Sequence, residues 1–127
     1  FERNLAEYER ILGPHHPDTL TSRNNLAYIY RAVGRTDEAI SLYEQTLTDR
    51  ERIHGPHHPD TLTSRHNLAH AYDSAGRTDE AISLYEQTLT DRERILGPHH
   101  RDTLVTRDNL ASLRGSDDGV PADGSDQ

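Results

Sequence analysis

Apolar positions along the chain fall into short stripes at helical spacing, punctuated by glycine and proline. Leu26, Ala27, Tyr30 and Val33 stand at i, i+1, i+4 and i+7, one face of a helix. His16 occupies the N-cap place before that stripe, with Pro17 at the first helical position and Asp18 in the first turn. Proline's fixed φ and a carboxylate near the positive end of the helix dipole both favour a start there. Gly34 closes the helix. A second helix is predicted with Thr36 as its cap and Asp37 and Glu38 in its first turn. Its buried stripe is Ala39, Ile40, Tyr43, Leu47, and Ile53 or a neighbour. Gly55-Pro56 breaks the chain afterwards, and the short turn at Gly34 forces the two helices antiparallel.

The pattern then repeats. GPHHPDTL begins at Gly13 and Gly55 and returns as GPHHRDTL at Gly97, a step of 42 residues. Segments 13–54 and 55–96 differ at seven positions: Asn24/His66, Tyr28/His70, Ile29/Ala71, Arg31/Asp73, Ala32/Ser74, Val33/Ala75 and His54/Leu96. Residues 1–12 align with 85–96. The expected organisation is therefore an array over 1–114: a half repeat 1–12, repeats 13–54 and 55–96, and a half repeat 97–114. Six helices follow, all-α, each hairpin stacking on the next. Residues 115–127 are mostly Gly, Ser and Asp, with one Pro and no apolar periodicity. They are expected to form a disordered acidic tail, the alternative being a tail that docks into a groove.

Leu26, Ala27, Tyr30, Gly34, Ala39 and Tyr43, and again Leu68, Ala69, Tyr72, Gly76, Ala81 and Tyr85, resemble the tetratricopeptide signature. The 42-residue step and the HPD linker resemble the kinesin-light-chain subtype. The resemblance covers residues 1 to about 113 and implies a right-handed α-solenoid, a superhelix with its first helices turned inward. It further implies a non-enzymatic protein-binding scaffold, of a kind found in bacterial proteins attached to NB-ARC signalling NTPases. The chain departs from the family in three places. Arg23, Arg65 and Arg107 stand where a large apolar residue is usual, and an Arg stem packed between helices with its head on a carboxylate is the expected solution. Thr46 and Thr88 replace a small Ala, and Arg114 replaces the third Tyr, pointing to a fraying end.

Composition narrows the partners. Only 31% of the residues are hydrophobic, with one Phe and no Trp or Met, a supply that suits a one-layer stack better than a compact globule. Absence of Cys excludes disulfides and thiolate metal sites, and a cytoplasmic location is expected. No apolar run approaches the roughly 20 residues of a membrane span. A formal charge of -8 argues against nucleic acid. All 14 basic residues are Arg. The chain opens at Phe1 without an initiator Met and is expected to be a piece of a longer protein.

Function is sought where the units disagree. The second helix is unchanged from Gly34 to Ile53 and from Gly76 to Ile95, whereas six of the seven differences lie in the first helix. Positions 24, 28, 31 and 32 share one face opposite Leu26 and Tyr30. Variation on one stripe above a constant frame is what a recognition groove would produce; drift after duplication is the alternative. The groove would hold Asn24, Tyr28 and Arg31, then His66, His70 and Asp73, then Asp108 and Ser112. Beside them run Asn25, Asn67 and Asn109, whose amides could grip a peptide backbone or bond to an adjacent helix. The family resemblance implies the first use. Arg31 against Asp73 and Asp108 makes a groove of mixed sign, suited to a ligand with acidic and basic ends.

His66 and His70, four apart, could chelate a metal with Asp108 as a third ligand, but His at two variable groove positions is more often simple surface chemistry, and no metal or cofactor is expected. No nucleophile–base pair, phosphate loop or carboxylate dyad is present, so no enzymatic activity is expected. The complementary half repeats at the two ends lead to an expectation of head-to-tail self-association. A structural spacer or self-assembling rod is the alternative to a peptide-binding scaffold.

Overall fold

The computed structural model describes residues 2–117, with side chains described for 5–115. Six helices follow one another: α1 (Glu2–Leu12), α2 (Pro17–Ala32), α3 (Thr36–His54), α4 (Pro59–Ser74), α5 (Thr78–Leu96) and α6 (Arg101–Asp117). Each packs on the next in sequence, and α2 also meets α4. The result is a layered stack of helical hairpins, a tetratricopeptide-like solenoid. Expected tail residues 115–117 continue α6 as helix, so Arg114 does not mark its end. The rest of the predicted tail lies outside the described residues.

Local chemistry sets the helix ends. His16, His58 and His100 cap α2, α4 and α6, their Nδ1 atoms accepting the backbone N–H of Asp18, Asp60 and Asp102 at 3.1, 3.0 and 3.1 Å. Gly34 (φ +88°) lets α2 close as a Schellman turn, in which Arg35 N–H reaches Tyr30 O at 2.8 Å and Gly34 N–H reaches Arg31 O at 3.2 Å. Gly76 repeats it, with Arg77 N–H to Tyr72 O at 2.8 Å. This closure moves the start of the next helix. Thr36, expected as the cap, is already helical; the N-cap is Arg35, which makes no side-chain cap bond and pairs instead with Glu38 (Nε to Oε1 2.9 Å) while lying over the Tyr30 ring at 4.2 Å.

Leu26, Ala27, Tyr30, Ala39, Ile40 and Tyr43 form one buried cluster with Leu5, Leu68 and Ala71; Ala69, Ala81, Tyr85 and Leu110 form the next. Two expected core residues do not join. Val33 is 65% exposed because it is the C-cap, with non-helical φ and ψ that carry it off the stripe. Ile53 is 42% exposed, and Ile95 repeats it at 37%. Thr46 and Thr88 sit fully buried, their hydroxyls donating to Leu42 O and Leu84 O at 2.9 and 2.8 Å.

The interior is partly ionic. Arg23 and Arg65 are 4% and 6% exposed. Arg23 donates to Asp49 (2.8 Å) and Pro14 O (3.0 Å), and Arg65 to Asp91 (2.8 Å) and Pro56 O (3.0 Å). The expected buried stem with a paired head is thus present twice. Arg107 has no following hairpin helix among the described residues and turns to Glu93 at 3.0 Å, its side chain 41% exposed. The third linker is also less complete. Thr19 and Thr61 donate to Gly13 O and Gly55 O at 2.7 and 2.8 Å, whereas Gly97 O receives His100 N–H and the buried Thr103 hydroxyl has no partner.

Candidate functional site

The first helices of successive units, α2, α4 and α6, carry all the predicted groove residues. Tyr28 is 54% exposed, with the Arg31 guanidinium over its ring at 5.2 Å. His70 and Asp108 are exposed, and Asp73 is half-buried. Asn25 is exposed and has no hydrogen-bond partner among the described residues. The other two asparagines face a neighbouring helix. Asn67 Nδ2 donates to Asn24 Oδ1 at 3.3 Å, and Asn109 Nδ2 lies 3.4 Å from His66 Nε2. The paired residues are 43 apart rather than 42. A variable position in one unit therefore meets the constant Asn of the next.

His66 is turned inward. Its Nδ1 lies 3.3 Å from Thr106 Oγ1, and its ring packs edge-on against Tyr85 at 5.3 Å. Burial, then the nearby charges of Arg92 and His70, push its pKa down to about 4, against a weaker opposite pull from Asp102. Both ring nitrogens face protein groups, and among the described residues no cluster of three His, Asp or Glu side chains could hold a metal ion. Burial first and Arg31 second also lower the pKa of His70.

Two residues absent from the sequence-level groove complete it. Tyr85, from α5, forms its floor, and Leu113 closes one wall. With His70, Asp73, Asn109 and Ser112 they line a cavity of about 80 Å³. Tyr85 was identifiable only as a core aromatic, because its hydroxyl edge points between α4 and α6, where no sequence stripe reports it.

A larger concavity, about 540 Å³, lies on the other side of the array between α1 and α3, lined by Glu9, His15, Arg23, Glu44, Gln45 and Asp49 among others. Its charged groups serve the fold. His15 contacts Asp49 at 3.3 Å, Arg52 contacts both, and Glu44 accepts the Tyr72 hydroxyl at 2.9 Å. Burial raises the Asp49 pKa, but Arg23, Arg52 and His15 outweigh it and hold the carboxyl low. Asp91 behaves in the same way with Arg65, Arg94 and His57. Every lining residue recurs unchanged 42 residues on. Satisfied and invariant, this concavity is the weaker candidate despite its size.

A family model described as tetratricopeptide repeat matches residues 1–52 and 22–94. Two Arabidopsis thaliana proteins, kinesin light chain-related 2 and 3, are each 48% identical, over 44 and 42 residues. Those matches cover 35% and 33% of this chain but 7% and 6% of the relatives, so the chain spans a small part of their length. A Podosopora anserina kinesin light chain of nearly identical TPR-like repeats superposes with a TM-score of 0.85 at 32% identity, over 92% of this chain and 56% of that one. BtubC from P. vanneervenii shares the fold, with a TM-score of 0.72 at 24% identity over 80% of this chain and 41% of that one. No helix among the described residues is long and apolar enough to cross a membrane.

Proposed function

The chain belongs to the tetratricopeptide-repeat family, and from that premise we propose that it binds an extended peptide or protein segment along the concave groove of α2, α4 and α6. A general scaffolding role accords with its homology to kinesin-light-chain repeats. The observation that supports the finer reading is the placement of the differences between units. Asn24, Tyr28 and Arg31, with their counterparts His66, His70 and Asp73, lie on the first helices, whereas the second helices differ only at their last residue, His54 against Leu96. Tyr28 and Arg31 offer an exposed aromatic and a cation at one end, and His70, Asp73, Asp108 and Asn109 a polar and acidic stretch at the other. Because Asn67 and Asn109 spend one amide bond each on a neighbouring helix, Asn25 is the member of that row with most capacity left for a peptide backbone.

The test is selection of peptides from a random display library against the folded chain. Peptides so obtained should bind the Tyr28→Ser/Arg31→Ser variant at least about tenfold more weakly, as expected when an aromatic anchor is lost, and should be indifferent to Gln45→Ala on the outward face. Sensitivity to Gln45→Ala alone would overturn the groove.

A second reading, a self-associating rod or the arm of a larger signalling NTPase, draws on the two ends. Leu20 and Leu62 are 1% and 0% exposed, but Leu104 at the same position in the third unit is 40% exposed. Tyr8, Ile11 and Leu12 on α1 are likewise exposed at 41%, 65% and 38%. Head-to-tail pairing would cover both faces, and a Leu104→Glu change would abolish any concentration-dependent mass seen in sedimentation. In either reading the chain acts as a cytoplasmic component.

A further inference from the structure

The residues that line a cavity at the second step of the array have counterparts at the first, where Arg31 reaches the equivalent phenol. The cavity, of about 80 Å³, is lined by His70, Asp73, Tyr85, Asn109, Ser112 and Leu113. One unit earlier those positions are Tyr28, Arg31, Tyr43, Asn67, His70 and Ala71. The tyrosine floor and the asparagine are common to both. Four positions change: Tyr28 becomes His70, Arg31 becomes Asp73, His70 becomes Ser112 and Ala71 becomes Leu113, and among them the charge reverses from Arg31 to Asp73.

At the first step the Arg31 guanidinium stacks on Tyr28 at 5.2 Å. It also lies near the buried Tyr43 hydroxyl, where its charge works against the upward push of burial on that group's pKa. The phenol at this step therefore tolerates a guanidinium beside it. At the second step a carboxylate replaces the guanidinium at the matching position. Burial, followed by the Asp73 charge, pushes the Tyr85 pKa up to about 12, with Asn109 and Arg31 acting the other way. The phenol stays neutral, and the lowered pKa of His70 keeps its imidazole neutral at pH 7. The lining residues thus include one carboxylate, one phenol oxygen and a planar neutral ring but no cation, although the Arg31 charge reaches both His70 and Tyr85 from the preceding unit.

We propose that the cavity between α4, α5 and α6 receives the cationic head of a basic side chain, arginine in preference to lysine, from a partner segment lying in the groove. Asp73 is the counter-ion, Tyr85 Oη an acceptor, and the His70 ring the surface on which the guanidinium lies. The inference rests on the proposed groove function and adds to it the chemistry of one contact.

Titration of the whole 127-residue chain with N-acetyl-arginine amide, followed by two-dimensional NMR, tests it. Shifts are expected at Ser112, Asp73 and the Asn109 side-chain amide, and the neutral isostere N-acetyl-citrulline amide should bind about fivefold more weakly or worse, as loss of one partly exposed charge pair implies. Asp73→Arg, which installs the residue of the first unit, should abolish the response, and Asp73→Asn, the milder change, should reduce it to the citrulline level. Arg31→Asp should open a second site, with new shifts at Tyr43 and Asn67. Equal response to the two amides, or a response that survives both Asp73 variants, would overturn the proposal. Library-selected peptides that bind through Tyr28 but ignore Asp73→Arg would remove this pocket and leave the groove standing. Binding of arginine amide without any peptide selected on the first-helix face would do the reverse.

Discussion

The two steps of the array, from α2 to α4 and from α4 to α6, use one frame and different fastenings. Both stack a constant asparagine on a variable residue of the preceding unit, but the first makes an amide–amide bond at 3.3 Å and the second an amide–imidazole contact at 3.4 Å. Both anchor the end of the first helix to a glutamate on the preceding second helix. Tyr72 does so on Glu44 through its hydroxyl, and Arg114 on Glu86 through an ion pair. An ion pair thereby stands where the third tyrosine is missing, and α6 runs on past Arg114. Both steps bring in an equivalent arginine of the first helix, but Arg65 in α4 is buried against Asp91 whereas Arg107 in α6 is left with an exposed glutamate. The lesson is that sequence identity between units fixes the helices and their caps, while the neighbour on each side decides whether the same residue is buried, satisfied or available.

The largest effect should separate the equivalent arginines. Arg65→Met would strand Asp91 and Pro56 O, and urea unfolding should register a loss of about 2–4 kcal/mol, below the full cost of breaking a buried pair because Asp91 keeps some contact with water. Arg107→Met should cost less than about 1 kcal/mol, as a half-exposed pair does. Equal losses would mean that the following hairpin helix contributes nothing to the difference.

His66 should come next. Its folded pKa of about 4 lies below the ordinary 6.5, so the unfolded chain binds more protons across that interval. The contribution is complete above pH 6.5 and drains away as pH falls toward 4. Its size is on the order of 2 kcal/mol, and His66→Asn, the residue of the first unit, should remove that slope while leaving the acid loss below about pH 4 set by Asp49 and Asp91. A thermal melt series from pH 7 to 4 that is superimposable for the two proteins would contradict the inward placement of His66. Tyr72→Phe should have the smallest effect, about 0.5–1 kcal/mol by urea unfolding, since the lost bond to Glu44 is exposed.

Much of the frame was legible in the residues: the histidine caps, the antiparallel hairpins, the six-helix order and the arginine stems paired to carboxylates. The misses share a cause. Val33 and Thr36 depart from the periodicity for one reason: the Schellman closure at Gly34 ejects the first from the stripe and absorbs the second into the helix. Helical periodicity carries no information about that closure. The groove was legible as a set of positions but not as contacts, because the stagger that brings position 24 to 67 and 66 to 109 arises from packing between helices. For the same reason His66 read as a surface ligand and Tyr85 as plain core, although they touch each other across the groove floor.

Amide hydrogen exchange, mapped with and without a library-selected peptide, tests the central claim most directly. The account predicts slowed exchange in the exposed turns of α2, α4 and α6 around Tyr28, His70 and Ser112, with the outward face of α3 and α5 unaffected. Protection centred on Ser41, Gln45, Ser83 and Gln87, with α2 and α4 unchanged, would place recognition on the constant helices and contradict it.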